Sequence, residues 1–157
     1  MSANHATEIN VLIADDDDGH AMLIQEHLED AGIHNPITRF RDGAEAWAFL
    51  SGEGLPAGQP KCDPEQAYML LLDIRMPRMD GVEVLRRIKA HPELHALPVI
   101  MLTTTDDPRE VAECYALGCN SYVTKPVVFE DFSEVIKRLG MFISVIAITP
   151  PKVSLQR

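Results

Sequence analysis

The sequence predicts an α/β protein, a five-stranded parallel sheet with helices covering both faces. Two observations carry this. Apolar runs of strand length alternate along the whole chain with segments whose apolar residues recur at helical spacing. The residues that close those runs are also distinctive: Asp15-Asp16 after the first, Asp73 after the third, Lys125 after the fifth. In an open parallel sheet, ligand sites form beyond the carboxyl ends of strands where strand order reverses. One fold would therefore gather these residues into one small polar site.

Each element has its own signal. Ile9–Ala14 reads as a buried first strand. A helix from about Gly19 to Ala31 follows, with Ala21, Ile24, Leu28 and Ala31 on one face and Gly32 ending it. Pro36–Phe40 is a second strand and Gly43–Leu50 a second helix. Gly52, Gly54, Pro56, Gly58, Pro60 and Pro64 make residues 52–64 a long surface loop. Tyr68–Leu72 reads as a central third strand. Asp80 is a good N-cap for a helix to about Ala90, with Val82, Leu85 and Ile88 inward. Pro98–Leu102 is a fourth strand, and a helix over Pro108–Leu117 stops at Gly118. Ser121–Thr124 is a fifth strand, and a last helix runs from about Phe129 towards Ile146. Residues 1–8 are expected to be an extension, 9–147 one domain and 148–157 a tail too short for an output domain.

The chain has 157 residues, 46% of them hydrophobic, enough for one domain with a real core. Its net charge is −10 and no basic stripe appears, so direct nucleic-acid contact is not expected. Cys62, Cys114 and Cys119 lack ligand spacing and read as reduced thiols of a cytoplasmic protein. The N-terminal MSANHATE has no signal-peptide core, and the apolar run Met141–Ile148 is too short for a bilayer, so no membrane partner is expected. His5, His20, His27, His34, His91 and His95 show no metal spacing and are placed on surfaces. Trp47 and the methionines are placed in or beside the core. Asp17 and Asp18 read as an acidic helix start, favoured by the macrodipole.

Three carboxylates about 4 Å apart repel by roughly 4 kcal/mol per pair at an effective dielectric near 20. Asp15, Asp16 and Asp73 therefore call for a cation, and an all-oxygen set suits Mg²⁺.

The segment Asp73-Ile74-Arg75-Met76-Pro77-Arg78-Met79-Asp80-Gly81 resembles the phosphoacceptor loop of response-regulator receiver domains. Asp15-Asp16, Thr103, Tyr122 and Lys125-Pro126 match the same family in order, so the resemblance covers nearly the whole chain. It implies a doubly wound, flavodoxin-like sheet of strand order 2-1-3-4-5. It also implies that Asp73 accepts a phosphoryl group, and that Asp16, Asp73 and the main-chain carbonyl of Arg75 hold Mg²⁺, with Asp15 helping through water. Lys125 would pair with a phosphoryl oxygen as a point charge. Thr103 would give its hydroxyl to another oxygen, and Tyr122 would turn from exposed to buried in response. A cis Lys125–Pro126 bond is implied too. The chemistry agrees: a carboxylate can accept a phosphoryl group as an acyl phosphate, and such transfer needs mainly positioning and charge neutralisation.

Arg75 and Thr104 would flank the path of the hydrolytic water and tune the lifetime of the acyl phosphate. Partners would be a sensor histidine kinase or a phosphotransfer protein. The long loop before the third strand resembles regulators that partner phytochrome-type kinases. The chain would be a signalling protein that catalyses only its own phosphorylation and dephosphorylation, either an effector or a phosphate sink in a relay. A haloacid-dehalogenase phosphohydrolase needs a second Asp two residues after its nucleophile, where this chain has Arg75. A flavin domain would need its first loop to cradle a phosphate, which Asp15–Asp18 would repel. In the last helix, Phe132, Ile136, Leu139, Ile143 and Ile146 form one apolar stripe. Val128, Val135, Phe142 and Val145 form a second, which either the tail Ile148–Arg157 folds back to cover or, as favoured here, a homodimer through that helix buries.

Overall fold

A computed structural model describes residues 8–126 and 132–148, the side chains of 132, 133, 142 and 144–148 excepted. The elements run β1 (Ile9–Ala14), α1 (Asp18–Asp30), β2 (Ile37–Phe40), α2 (Gly43–Ser51), β3 (Ala67–Leu72), α3 (Gly81–Ala90), β4 (Val99–Thr103), α4 (Pro108–Leu117), β5 (Ser121–Thr124) and α5 (Phe132–Ile148). The sheet order is β2-β1-β3-β4-β5, and every pairing is parallel. Successive side chains of a strand point to opposite faces. Leu12, Leu70, Leu72 and Met101 accordingly pack with Trp47, Leu85, Ile88 and Cys114. Val11, Ile13, Met69, Leu71, Leu102 and Val123 pack on the other face with Ile24, Leu28, Ile136, Leu139 and Ile143. All six residues of β3 are buried because helices cover both its faces.

This topology places the site. From β1 the chain goes one way to β2 and then the other way to β3, so strand order reverses between β1 and β3. Ala14 pairs with Leu72, which sets Asp15 and Asp73 side by side, and the Asp73 N–H donates to the Ala14 carbonyl at 3.0 Å. At the far edge the Lys125 N–H donates to the Thr103 carbonyl at 2.7 Å. Four of the helices that start at this end of the sheet are capped by an aspartate: Asp17, Asp42, Asp80 and Asp107 accept the N–H groups of His20, Glu45, Glu83 and Arg109. Gly81 shows why its loop ends in glycine. Its N–H donates to the Ile74 carbonyl at 2.8 Å, and a Cβ there would lie 2.0 Å from the Asp73 carbonyl oxygen.

Four expectations change. Ala31 is exposed, because α1 ends at Asp30 and the chain turns outward there. In α3 the clean inward stripe at helical spacing is Gly81, Val84, Leu85 and Ile88, and Val82 is only half-buried. Met22 and Met141 are 59% and 69% exposed, unlike the buried Met69, Met76 and Met101. Val135 belongs to the core with Ile136, Leu139 and Ile143, since a core-facing helix buries a stripe wider than one row of residues. That removes Val135 from the proposed second face of α5. Val128, and the side chains of Phe132, Phe142, Val145 and Ile146, lie outside the described residues. No described helix is long and apolar enough to cross a membrane.

Candidate functional site

The site is a cluster of side chains at the carboxyl ends of β1, β3, β4 and β5. Asp15, Asp73, Thr103 and Lys125 are all buried there, and among the described residues the one other buried polar or charged side chain is the helix cap Asp42. The Lys125 ammonium donates to Asp15 Oδ2 at 2.6 Å and to Asp73 Oδ2 at 3.3 Å. Its third contact is His20 Nδ1 at 3.0 Å. An ammonium has three N–H donors and no acceptor, so Nδ1 is the accepting nitrogen and the imidazole proton sits on Nε2. The remaining carboxylate oxygens are held by the main chain. Asp15 Oδ1 accepts the Asp17 N–H at 2.9 Å, and Asp73 Oδ1 accepts the Ile74 N–H at 2.7 Å. Arg39 braces the strand end by donating to the Asp15 carbonyl from Nε at 3.1 Å and Nη2 at 2.7 Å.

One lysine does not balance this charge. Burial pushes the Asp15 carboxyl above the ordinary carboxylate range. Lys125 pulls against that shift, and the Asp73 charge adds to it. Asp16 stands exposed at the rim, and Asp15, Asp16 and Asp73 each offer an oxygen within 4.8 Å of the others. An excess of negative charge and an all-oxygen donor set fit a hard divalent cation.

The sign of the pH effect follows. Asp15 binds its proton more tightly folded than unfolded. This group therefore lowers stability as pH rises from the ordinary carboxylate range through its raised folded value, and the penalty is complete above that. Asp15→Asn should remove the penalty and raise metal-free stability at neutral pH by roughly 1–3 kcal/mol, the usual cost of an imperfectly compensated buried polar group. Thermal melts of both proteins in chelator check this, and a lower midpoint for the Asn variant would contradict it.

Thr103 is wholly buried, and its Oγ1 is the one buried side-chain N or O atom among the described residues without a hydrogen-bond partner. A buried unpaired hydroxyl costs about 1–3 kcal/mol. Such an atom beside a buried charged cluster fits an oxygen that arrives later. Tyr122 corrects an expectation: it is already buried, its O–H donates to the Thr105 carbonyl at 2.8 Å, and burial pushes its pKa up to about 12. Its main-chain N–H donates to the Tyr115 hydroxyl at 3.0 Å, so ring and strand are both held inward. A second correction concerns Lys125–Pro126. No described peptide bond is cis, so this bond is trans, the form X–Pro bonds favour by about 0.5–1 kcal/mol.

Arg75 is exposed beside Asp73, and its guanidinium pairs with Glu110 Oε2 at 2.9 Å on the first turn of α4. The Thr105 hydroxyl donates to Glu110 Oε1 at 3.0 Å, whereas Thr104 faces solvent. The β4–α4 residue linked to Arg75 is thus Thr105, two after Thr103. Sequence reasoning missed Glu110 and placed His20 merely on the surface. His20 lies one helical turn beyond Asp16 (i+4), the only signal that could have pointed to it. Asp17 and Asp18 behave as helix-start residues: Asp17 caps α1, and Asp18 pairs with Arg39 at 2.7 Å and Arg41 at 2.8 Å.

Comparison with known proteins places the chain. The family of the response regulator receiver domain matches residues 11–137. The response regulator Rcp1 of Synechocystis is 33% identical over 132 residues, 84% of this chain and 86% of that protein. The Mn²⁺-bound structure of Rcp1 superposes with a TM-score of 0.74 at 32% identity, over 85% of this chain and 92% of that one. A receiver domain from Rhodospirillum rubrum gives a TM-score of 0.78 at 38% identity, over 92% of this chain and 98% of that one. The phosphorylated cyanobacterial phytochrome response regulator RcpA gives 0.74 at 31% identity, over 86% and 93%.

Proposed function

This chain belongs to the response-regulator receiver family of two-component signalling, and from that premise we propose that Asp73 accepts a phosphoryl group in an Mg²⁺-dependent reaction. One observation carries the reading. Asp73 is buried at the switch point with the Lys125 ammonium on its Oδ2, and the Thr103 hydroxyl nearby lacks a partner.

The chain's own residues divide the work. Ile74 N–H holds Asp73 Oδ1, which leaves Oδ2 as the nucleophile. As Oδ2 bonds to phosphorus, the bond from phosphorus to the imidazole nitrogen of a phosphohistidine breaks. Lys125 then exchanges a carboxylate partner for a phosphoryl oxygen, and the Thr103 hydroxyl donates to another. Asp15, Asp16, Asp73 and the Arg75 carbonyl would hold Mg²⁺, which when bound neutralises the carboxylates and the incoming phosphoryl oxygens. The chain turns over nothing but its own acyl phosphate, and signalling follows from a population shift at Thr103 and Tyr122. Because Tyr122 starts buried, the shift is expected at its bond to the Thr105 carbonyl, not as an inward swing of an exposed ring.

The phosphoryl donor is a cytoplasmic sensor histidine kinase or a phosphotransfer protein. The phytochrome regulators among the structural neighbours favour a phytochrome-type kinase. With acetyl phosphate and Mg²⁺, intact-mass spectrometry should show one added phosphoryl group per chain that does not form when chelator is present from the start and that is lost on treatment with hydroxylamine. A chain that stays unmodified with both acetyl phosphate and candidate kinases would end this reading.

A further inference from the structure

Glu110 is the residue that neither the acceptor nor the cation needs, yet it joins three parts of the site. Its Oε2 holds the Arg75 guanidinium at 2.9 Å, and its Oε1 accepts the Thr105 hydroxyl at 3.0 Å. The carbonyl of Thr105 in turn accepts the Tyr122 hydroxyl at 2.8 Å. Glu110 is only 20% exposed in its side chain while Arg75 is 64% exposed, so α4 supplies the more buried partner and Arg75 the one open to solvent. Arg75 stands two residues after Asp73, within reach of anything attached to it. It is drawn away from Asp73 by a carboxylate on another element.

We propose that Glu110 is a positioning residue that withholds Arg75 from the phosphoryl group and thereby sets its lifetime. The proposal rests on Asp73 being the acceptor. In the hydrolytic step a water oxygen bonds to phosphorus as the bond from phosphorus to the Asp73 carboxylate oxygen breaks. The products are the free carboxylate and inorganic phosphate, with one proton released to solvent. Once phosphorylated, Asp73 carries a dianionic group that competes with Glu110 for the same guanidinium. While Glu110 wins, the solvent face of the phosphorus stays open to water. Without Glu110, Arg75 pairs with a phosphoryl oxygen and covers that face.

The test is the decay of phosphorylated full-length protein in Mg²⁺ buffer after donor removal. The comparison is among wild type, Glu110→Gln, Glu110→Asp, Arg75→Ala and the Arg75→Ala/Glu110→Gln double variant. Gln can still accept the Thr105 hydroxyl, so Glu110→Gln removes the ion pair and keeps the neutral bond. Decay should slow roughly threefold in Glu110→Gln, the size of one half-exposed ion pair. Glu110→Asp should lie nearer wild type. In the Arg75→Ala background, Glu110→Gln should change nothing, because its effect passes through Arg75. Faster or unchanged decay in Glu110→Gln, or an equal effect with and without Arg75, would overturn the proposal. Failure of wild type to take up phosphoryl at all would count instead against Asp73 as acceptor.

Discussion

Asp73→Asn should reduce phosphoryl labelling to background with either acetyl phosphate or a kinase as donor. The amide offers no anionic oxygen to attack phosphorus. It preserves the side chain's shape and can still accept the Ile74 N–H that now lies 2.7 Å from Oδ1. Loss of labelling would therefore not come from a collapsed loop, and a thermal melt in chelator should show the variant folded at least as stably as wild type. Removing the Asp73 charge relieves the repulsion that helps raise the Asp15 carboxyl, which is why stability should not fall. Labelling of the Asn variant at the wild-type rate would show that the acceptor is another residue. Radiolabel from a phosphorylated kinase, read after rapid gel separation, measures both rate and extent.

Lys125→Met should be the most damaging single change to metal-free stability in this cluster. The ammonium is the common partner of two buried carboxylates, at 2.6 Å from Asp15 and 3.3 Å from Asp73. Met fills similar space but leaves both charges unpaired. Breaking a buried ion pair by removing one partner typically costs about 3–5 kcal/mol, because the other charge stays desolvated. The penalty here should fall near 3 kcal/mol, since protonation of Asp15, already favoured by burial, offers a partial escape. Mg²⁺ should recover more stability in the variant than in wild type, as a cation bound only by the folded state takes over the neutralisation. Urea titrations with and without Mg²⁺ check both parts. Equal metal-free midpoints for variant and wild type would show that the two carboxylates do not depend on Lys125.

Much of this protein is local, and what is local was readable. The fourth helix and the fifth strand fall at the expected residues. Pro108 marks the start, Gly118 supplies the left-handed stop, and the β-prone Tyr122, Val123 and Thr124 follow in the strand. The strand ends gave away Asp15, Asp73 and Lys125 for the same reason, whereas Thr103 came only from the family resemblance. A parallel sheet forces chemistry to its carboxyl edge, so a charged residue closing an apolar run is informative without coordinates. Helix rotation was read less well. Val84 and Val135 lie inward by choices that neighbouring elements make, and a two-valine stripe in either register looks equally apolar in sequence.

The sequence by itself determined the order of elements, the burial of the strands and which residues would meet at one edge, because periodicity, caps and glycines act within a few residues. Only the tertiary structure decided how those residues pair. Lys125 and Asp15 are 110 positions apart, and His20 and Lys125 are 105. The preference of Arg75 for Glu110, and of the Tyr122 hydroxyl for the Thr105 carbonyl, depends on side-chain directions across separate elements. Hydrogen bonds and ion pairs act over about 3 Å, and no spacing along a chain encodes a 3 Å choice between partners that the fold alone brings together.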